Sequence, residues 1–222
     1  NDEKEETLKK IFQWSEEGES LEVLLEAIKL SASELVLLSP FKQGITAVHA
    51  LEYVFAIQSL FSYLEREDQR KALWMSSMMV KQMAILSKPL IEPLEISLST
   101  VNQKNNSLFF VEYWIQRGDA SKALGALDYF VNHNDSYQGL LELLAFLASK
   151  NHYSILYGHD IRFAHAALKS FKMANHPLRH IYLKSLVKLL AEQPKEYTIY
   201  FALSNTQKTK LGYFSAGGEF NF

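Results

Sequence analysis

Gly44-Ile45-Thr46-Ala47-Val48-His49-Ala50-Leu51-Glu52-Tyr53-Val54-Phe55-Ala56-Ile57-Gln58-Ser59-Leu60-Phe61-Ser62-Tyr63-Leu64 carries one formal charge, on Glu52. Apolar side chains cover most of the circumference of a 3.6-residue helix here, which predicts a helix buried at the centre of a bundle. It does not predict a membrane span. His49, Glu52 and Gln58 interrupt the run, and no stretch of the chain approaches the roughly 18 uninterrupted apolar residues a span needs. Ser39-Pro40 forces a break ahead of the segment, because the residue before proline is driven out of the helical region.

Outward from this segment nearly everything reads as helix. Leu8, Ile11 and Phe12 make residues 5–16 amphipathic, and Gly18 stops that helix. Ser20 is the expected cap of 21–38, where Leu21, Leu24, Leu25, Ile28, Leu35 and Leu38 keep a helical period. The charged run 66–70 reads as a solvated turn leading into 71–86. Further helices are expected over 107–116, 120–132, 137–150, 161–174, 178–192 and 196–203. Short turns such as Arg117-Gly118-Asp119 predict antiparallel neighbours. The expected fold is therefore all-α, a single multi-helix bundle over residues 1–222 with a solenoid-like second half. Residues 117–124 resemble the opening of a tetratricopeptide unit, although no strict repeat period is present. Pro89, Pro93 and the polar stretch 97–106 mark a subdomain boundary near 88–106. Residues 204–222 lack a helical period and read as an irregular tail.

Composition narrows the chemistry. Twenty-three basic against 25 acidic residues leave a net charge of −2. There is thus no global basic field for nucleic acid, and aromatic residues are not interleaved with the basic ones as a stacking platform. Cysteine is absent, which removes disulfides, thiolate metal sites and cysteine nucleophiles, and favours a cytoplasmic address. Lys169, Lys172, Arg179, Lys184, Lys188 and Lys195 cluster late in the chain, while its first 26 residues are acid-rich. This asymmetry suits an intramolecular contact, a homo-oligomer contact or a face for an anionic ligand. No HExxH, GxSxG, Walker or GxGxxG motif occurs.

Seven histidines carry the remaining chemistry. Residues 44–51 and 160–167 look like copies of one another, each with one histidine, His49 or His165, inside an apolar helical run. Glu52 and Tyr53 lie at i+3 and i+4 from His49 and project beside it. A His–Glu pair on a mostly buried helix can bind a metal, orient an imidazole or move a proton. The alternative is a core histidine satisfied by its own carboxylate or by a backbone carbonyl. In the second cluster, His159 and His165 are six residues apart and diverge if one helix contains both. If Gly158-His159 instead precedes the helix, Asp160 is its N-cap and His159 can fold back over the helix end. His176 and His180 flank Pro177, which separates them as a metal pair. Met75, Met78, Met79 and Met83 follow helical spacing with Trp74 and read as core or as a protein-contact face.

The run Gly118-Asp119-Ala120, then Leu140-Leu141-Glu142-Leu143-Leu144, Gly158-His159-Asp160-Ile161, His165-Ala166 and His176-Pro177-Leu178 resembles the C-terminal layout of questin-oxidase-like proteins. Residues 45–51 also resemble that family's histidine-bearing helices. The resemblance covers half to two-thirds of the chain in loose pattern and has no diagnostic signature. It implies oxygen-dependent, Baeyer–Villiger-like ring opening of an anthraquinone with a reduced nicotinamide cofactor. This chain has no nucleotide-binding loop to match that cofactor. The residues themselves name neither a metal nor a cofactor.

Two functions follow as expectations. One is an oxidoreductase acting on a small aromatic or polyketide-like compound in a histidine-lined pocket. His49, Glu52 and His165 would be its catalytic groups, and Tyr53, His159 and Arg162 its substrate contacts. The other is a non-catalytic helical interaction or oligomerisation module. It expects dispersed histidines and an exposed apolar patch around Trp74, Met78 or Tyr153.

Overall fold

The computed structural model describes residues 2–88, 107–150 and 159–193. Most of the boundary expected at 88–106, the helix expected at 196–203, the tail at 204–222 and Tyr153 lie outside the described residues. Among the described residues the chain is all-α. The helices are α1 (Asp2–Glu16), α2 (Leu21–Leu38), α3 (Phe41–Phe61), α4 (Arg66–Ser87), α5 (Ser107–Arg117), α6 (Ala120–His133), α7 (Gln138–Ser149), α8 (His159–Met173) and α9 (His180–Glu192), with a 3-10 turn at Pro177–Arg179.

Local chemistry sets most of the ends. Gly18 adopts φ +97°, and the Glu19 amide reaches back to the Trp14 carbonyl at 3.0 Å, closing α1. Gly118 does the same for α5 at φ +76°, and Asp119 then caps α6 by accepting the Lys122 amide at 3.0 Å. Three expectations change. Helix α3 begins at Phe41, directly after Pro40, three residues ahead of the apolar segment that starts at Gly44. The charged run 66–70 is helical. Glu67 and Asp68 occupy the first turn of α4, where the helix dipole favours acidic groups. Ser20 holds the N-cap position of α2, but its hydroxyl donates to the Glu22 carboxylate at 2.6 Å and leaves the backbone uncapped by that side chain.

The expected central helix is also displaced. Helix α3 buries Ala47, Val48, Ala50, Leu51, Val54 and Phe61 against α2, α4 and α8, yet Ala56, Ser59 and Leu60 are exposed. Helix α9 is the more enclosed element. It buries Tyr182, Leu183, Leu186, Val187, Leu189, Leu190 and Ala191, and packs on α2, α5, α6 and α8. Apolar composition shows how much of a helix can be buried, not how many neighbours arrive to bury it. No solenoid is shown, since α9 touches helices from both halves of the chain where a stack would confine each unit to its neighbours.

The basic residues of the last third are largely used internally. Lys188 is buried and donates to the Ser39 carbonyl at the C-terminal end of α2 and to Glu192, each at 2.7 Å. Lys184 pairs with Asp128 at 2.8 Å, and the Arg179 guanidinium lies 4.7 Å from the Phe171 ring centroid. Most consequential is Lys29, with no exposed surface, placed where α2, α3, α8 and α9 meet. Its ammonium donates to Glu26 at 2.7 Å and to Gln58 of α3 at 3.0 Å, and lies 3.5 Å from the Ser170 hydroxyl of α8. Glu26 also accepts from the Tyr182 hydroxyl at 2.7 Å and from His176 Nε2 at 3.2 Å.

Burial alone would raise the Glu26 pKa, but the hydrogen bonds from Lys29, Tyr182 and His176 outweigh it and hold the carboxyl below its ordinary 4.5. Burial pulls the Lys29 ammonium down, against the opposing pull of Glu26. A depressed carboxylate contributes stability above its unfolded pKa and loses it as pH falls through the folded value. Glu26→Gln should therefore destabilise the fold by about 3 kcal/mol at neutral pH, since it leaves a buried ammonium poorly compensated. The gap from wild type should narrow below pH 4.5, which urea unfolding across pH would show. An unchanged midpoint at pH 7 would mean that the network carries no net stability.

Candidate functional site

Helix α3 presents His49 and Glu52 one turn apart, and α8 meets it with His159 in its own first turn. The α8 backbone is fixed there by Phe163, Ala164, Ala166 and Ala167, all buried. His159 Nδ1 lies 2.9 and 3.1 Å from the two Glu52 carboxylate oxygens. The His49 and His159 rings meet edge to face with centroids 4.3 Å apart. His49 Nδ1 is 3.9 Å from Glu52 Oε2, and Arg162 Nε is 3.6 Å from Glu52 Oε1. Glu52 and His159 are 15% and 13% exposed, His49 and Arg162 42% and 58%, so a shielded carboxylate–imidazole pair sits under two solvent-reaching groups.

The hydrogen-bond roles follow from chemistry. A carboxylate only accepts, so His159 Nδ1 carries the proton and donates it to Glu52. Arg162 Nη2 stands 3.0 Å from the same Nδ1 and 3.4 Å from Nε2. An in-plane approach to both nitrogens would collide with the carbon between them. The guanidinium therefore lies over the ring face, where the ring's π-density attracts it, and the in-plane lone pair of Nε2 remains available. Glu52 thus selects one tautomer of His159. Burial first, and then the electrostatic influence of His159 and Arg162, lower the His49 pKa, while Glu52 partly opposes them.

Of the six residues expected to form a site, four converge: His49, Glu52, His159 and Arg162. His165 does not join them. It is exposed on α8, its ring edge-to-face with Phe55 at 5.4 Å, beside the Lys169 ammonium, which covers the same phenyl ring at 5.5 Å. Tyr53 packs against the hydrophobic core. Asp160 is buried inside the first turn of α8, which includes His159, so it is not the N-cap. His176 and His180 part company: the first bonds Glu26, the second lies beside Tyr137 and Phe171. Sequence reasoning overlooked the Glu26–Lys29–Tyr182 network. The available signal was a lysine at position 29 on the stripe of Leu25, Ala32 and Val36, where a solvated cation has no place.

His49, Glu52 and His159 each offer one ligand atom, all within 4.8 Å of one another. The arrangement can hold a cation, relay a proton between imidazole and carboxylate, or bind an anion through Arg162. Clefts of about 420 Å3 between α1, α2 and α4, and about 350 Å3 at Asp128, Leu178 and Lys184, lie elsewhere. No family model, curated protein or solved structure matches the chain.

In metal-free protein, NMR titration should place the His49 midpoint below 6.5. Arg162→Ala should move it upward by removing a neighbouring positive charge, and Glu52→Gln should move it further down. Opposite signs would mean that these side chains do not share one electrostatic site.

Proposed function

We propose that the chain is an enzyme acting on a small phenolic or enolic aromatic compound, with His159 and Glu52 as its acid–base pair. Convergence of His49, Glu52, His159 and Arg162 from two helices carries this reading. Four groups able to move protons or pair with an anion meet at one solvent-reached edge, held by rigid helices. Glu52 orients His159 as a carboxylate orients a catalytic imidazole, leaving Nε2 to take a proton. His49, its pKa lowered, is neutral near pH 7 and can act as a second base. Arg162 retains exposed surface with which to pair the phenolate or enolate oxygen that deprotonation creates. The resemblance to questin-oxidase-like proteins supports assigning this chemistry to an oxidoreductase of polyketide-like aromatics.

The interaction-module reading expects scattered histidines, and His49 and His159 do not fit it. Trp74 and Met78, which it places in an exposed patch, are both half-buried.

The test uses hydroxylated anthraquinones and simple phenols with protein kept in chelator, reading the phenolate absorption band. At least one compound should bind with its band shifted to the phenolate. Arg162→Ala and His159→Ala should weaken that binding about 10-fold or more, the scale of a lost charge-assisted contact. His49→Ala should slow any turnover by about 100-fold or more while costing less than about 2 kcal/mol of stability. If no compound of the class binds, or the variants bind as wild type does, the reading fails.

A further inference from the structure

We infer that His49, Glu52 and His159 form a three-ligand site for one divalent transition-metal ion, next to Arg162. This rests on the reading of the cluster as the working centre and adds a cofactor to it; with the ion bound, Glu52 and His159 would serve as its ligands in place of their acid–base role.

The donor set is the first argument. Two imidazoles and one carboxylate suit Zn2+, Fe2+, Mn2+ or Co2+, and three protein donors leave positions open for water or an oxygen ligand. Spacing is the second. Donors bound at about 2.1 Å and at right angles around one ion stand about 3 Å apart. Glu52 Oε2 and His159 Nδ1 already lie at 2.9 Å, and an ion binding there would replace the Nδ1 proton, the imidazole then carrying its proton on Nε2. His49 Nδ1, at 3.9 Å from the same oxygen, is closed in by a small side-chain rotation, for which its partial exposure leaves room.

The scaffold is the third argument. His49 and Glu52 share one face of α3 by their i, i+3 spacing, while His159 sits in the first turn of an α8 anchored on its buried side. Little ordering remains to be done when the ion arrives. Arg162 supplies the positive charge beside Glu52 in the metal-free protein, and as a long, exposed side chain it can move aside. It then stands ready to pair with an anionic oxygen on one of the open positions. Arg162 and the metal thus compete for the same carboxylate, which gives the site an unusual signature.

The test is titration of chelator-stripped full-length protein with Co2+ and Zn2+ alone, by calorimetry and by the visible Co2+ spectrum, with no organic ligand present. One ion per chain should bind, with Co2+ bands typical of mixed nitrogen and oxygen donors. His49→Ala, Glu52→Gln and His159→Ala should each weaken binding by at least about 100-fold, since even outer-shell substitutions cost 10–100-fold. Arg162→Met should tighten it several-fold. Circular dichroism and thermal unfolding identify any variant that has lost its fold, and the near-isosteric Glu52→Gln keeps the test valid if His159→Ala does so. Absent stoichiometric binding, or binding indifferent to the three ligand variants, would overturn the inference. Phenol binding is measured in chelator, so either result can fail while the other stands.

Discussion

The buried Lys29 ammonium constrains the rest of the structure. A cation with no exposed surface must meet a partner in every direction from which water has been removed. Glu26 supplies the charge from the same helix, but Gln58 comes from α3, Ser170 from α8, and Tyr182, which shares Glu26, from α9. Each of these helices must therefore arrive at one rotation and one height. An apolar core of similar volume would tolerate sliding by a few tenths of an ångström. A hydrogen-bonded ion pair in a low dielectric tolerates much less.

That constraint reaches the candidate site through α3 and α8. Ser170 and His159 are eleven residues apart on α8, about three turns, and so lie on nearly the same face. The face that meets Lys29 at one end meets Glu52 at the other. The polar network and the histidine centre are two fixings of one α3–α8 seam, with Phe163, Ala166 and Ala167 buried between them. A carboxylate held by an imidazole on one side and a guanidinium on the other is then positioned by the backbone of two helices, not by a loop.

Much of the fold was legible in the sequence. The periods of α2, α6 and α9, the stop at Gly18 and the turn at Gly118-Asp119 all follow from local rules that need no tertiary information. Ends set by competing signals were harder to read. The charges at 66–70 suit a solvated turn and the first turn of a helix equally well, and only the helix dipole favours the second. Leu60 belongs to the apolar run yet is exposed because it lies on the outward face with Ala56 and Ser59, while Phe61, one residue on, is buried.

The site shows the same division. His49 and Glu52 could be paired from sequence because one turn of helix brings i and i+3 together wherever the helix lies. The likeness of 44–51 to 160–167 pointed to His165 as the partner, since it holds the corresponding place in its segment. Tertiary structure instead brought His159 to His49 and left His165 against Phe55. The physical reason is angular. Six residues on one helix turn a side chain through about 240°, so only one of these histidines can face α3 at Glu52. The sequence by itself determined the helical class of the described residues, their helix ends at glycine and proline, and one His–Glu pair. Which second histidine completes that pair, and which lysine is buried, were decided only when packing fixed the rotation of each helix about its own axis.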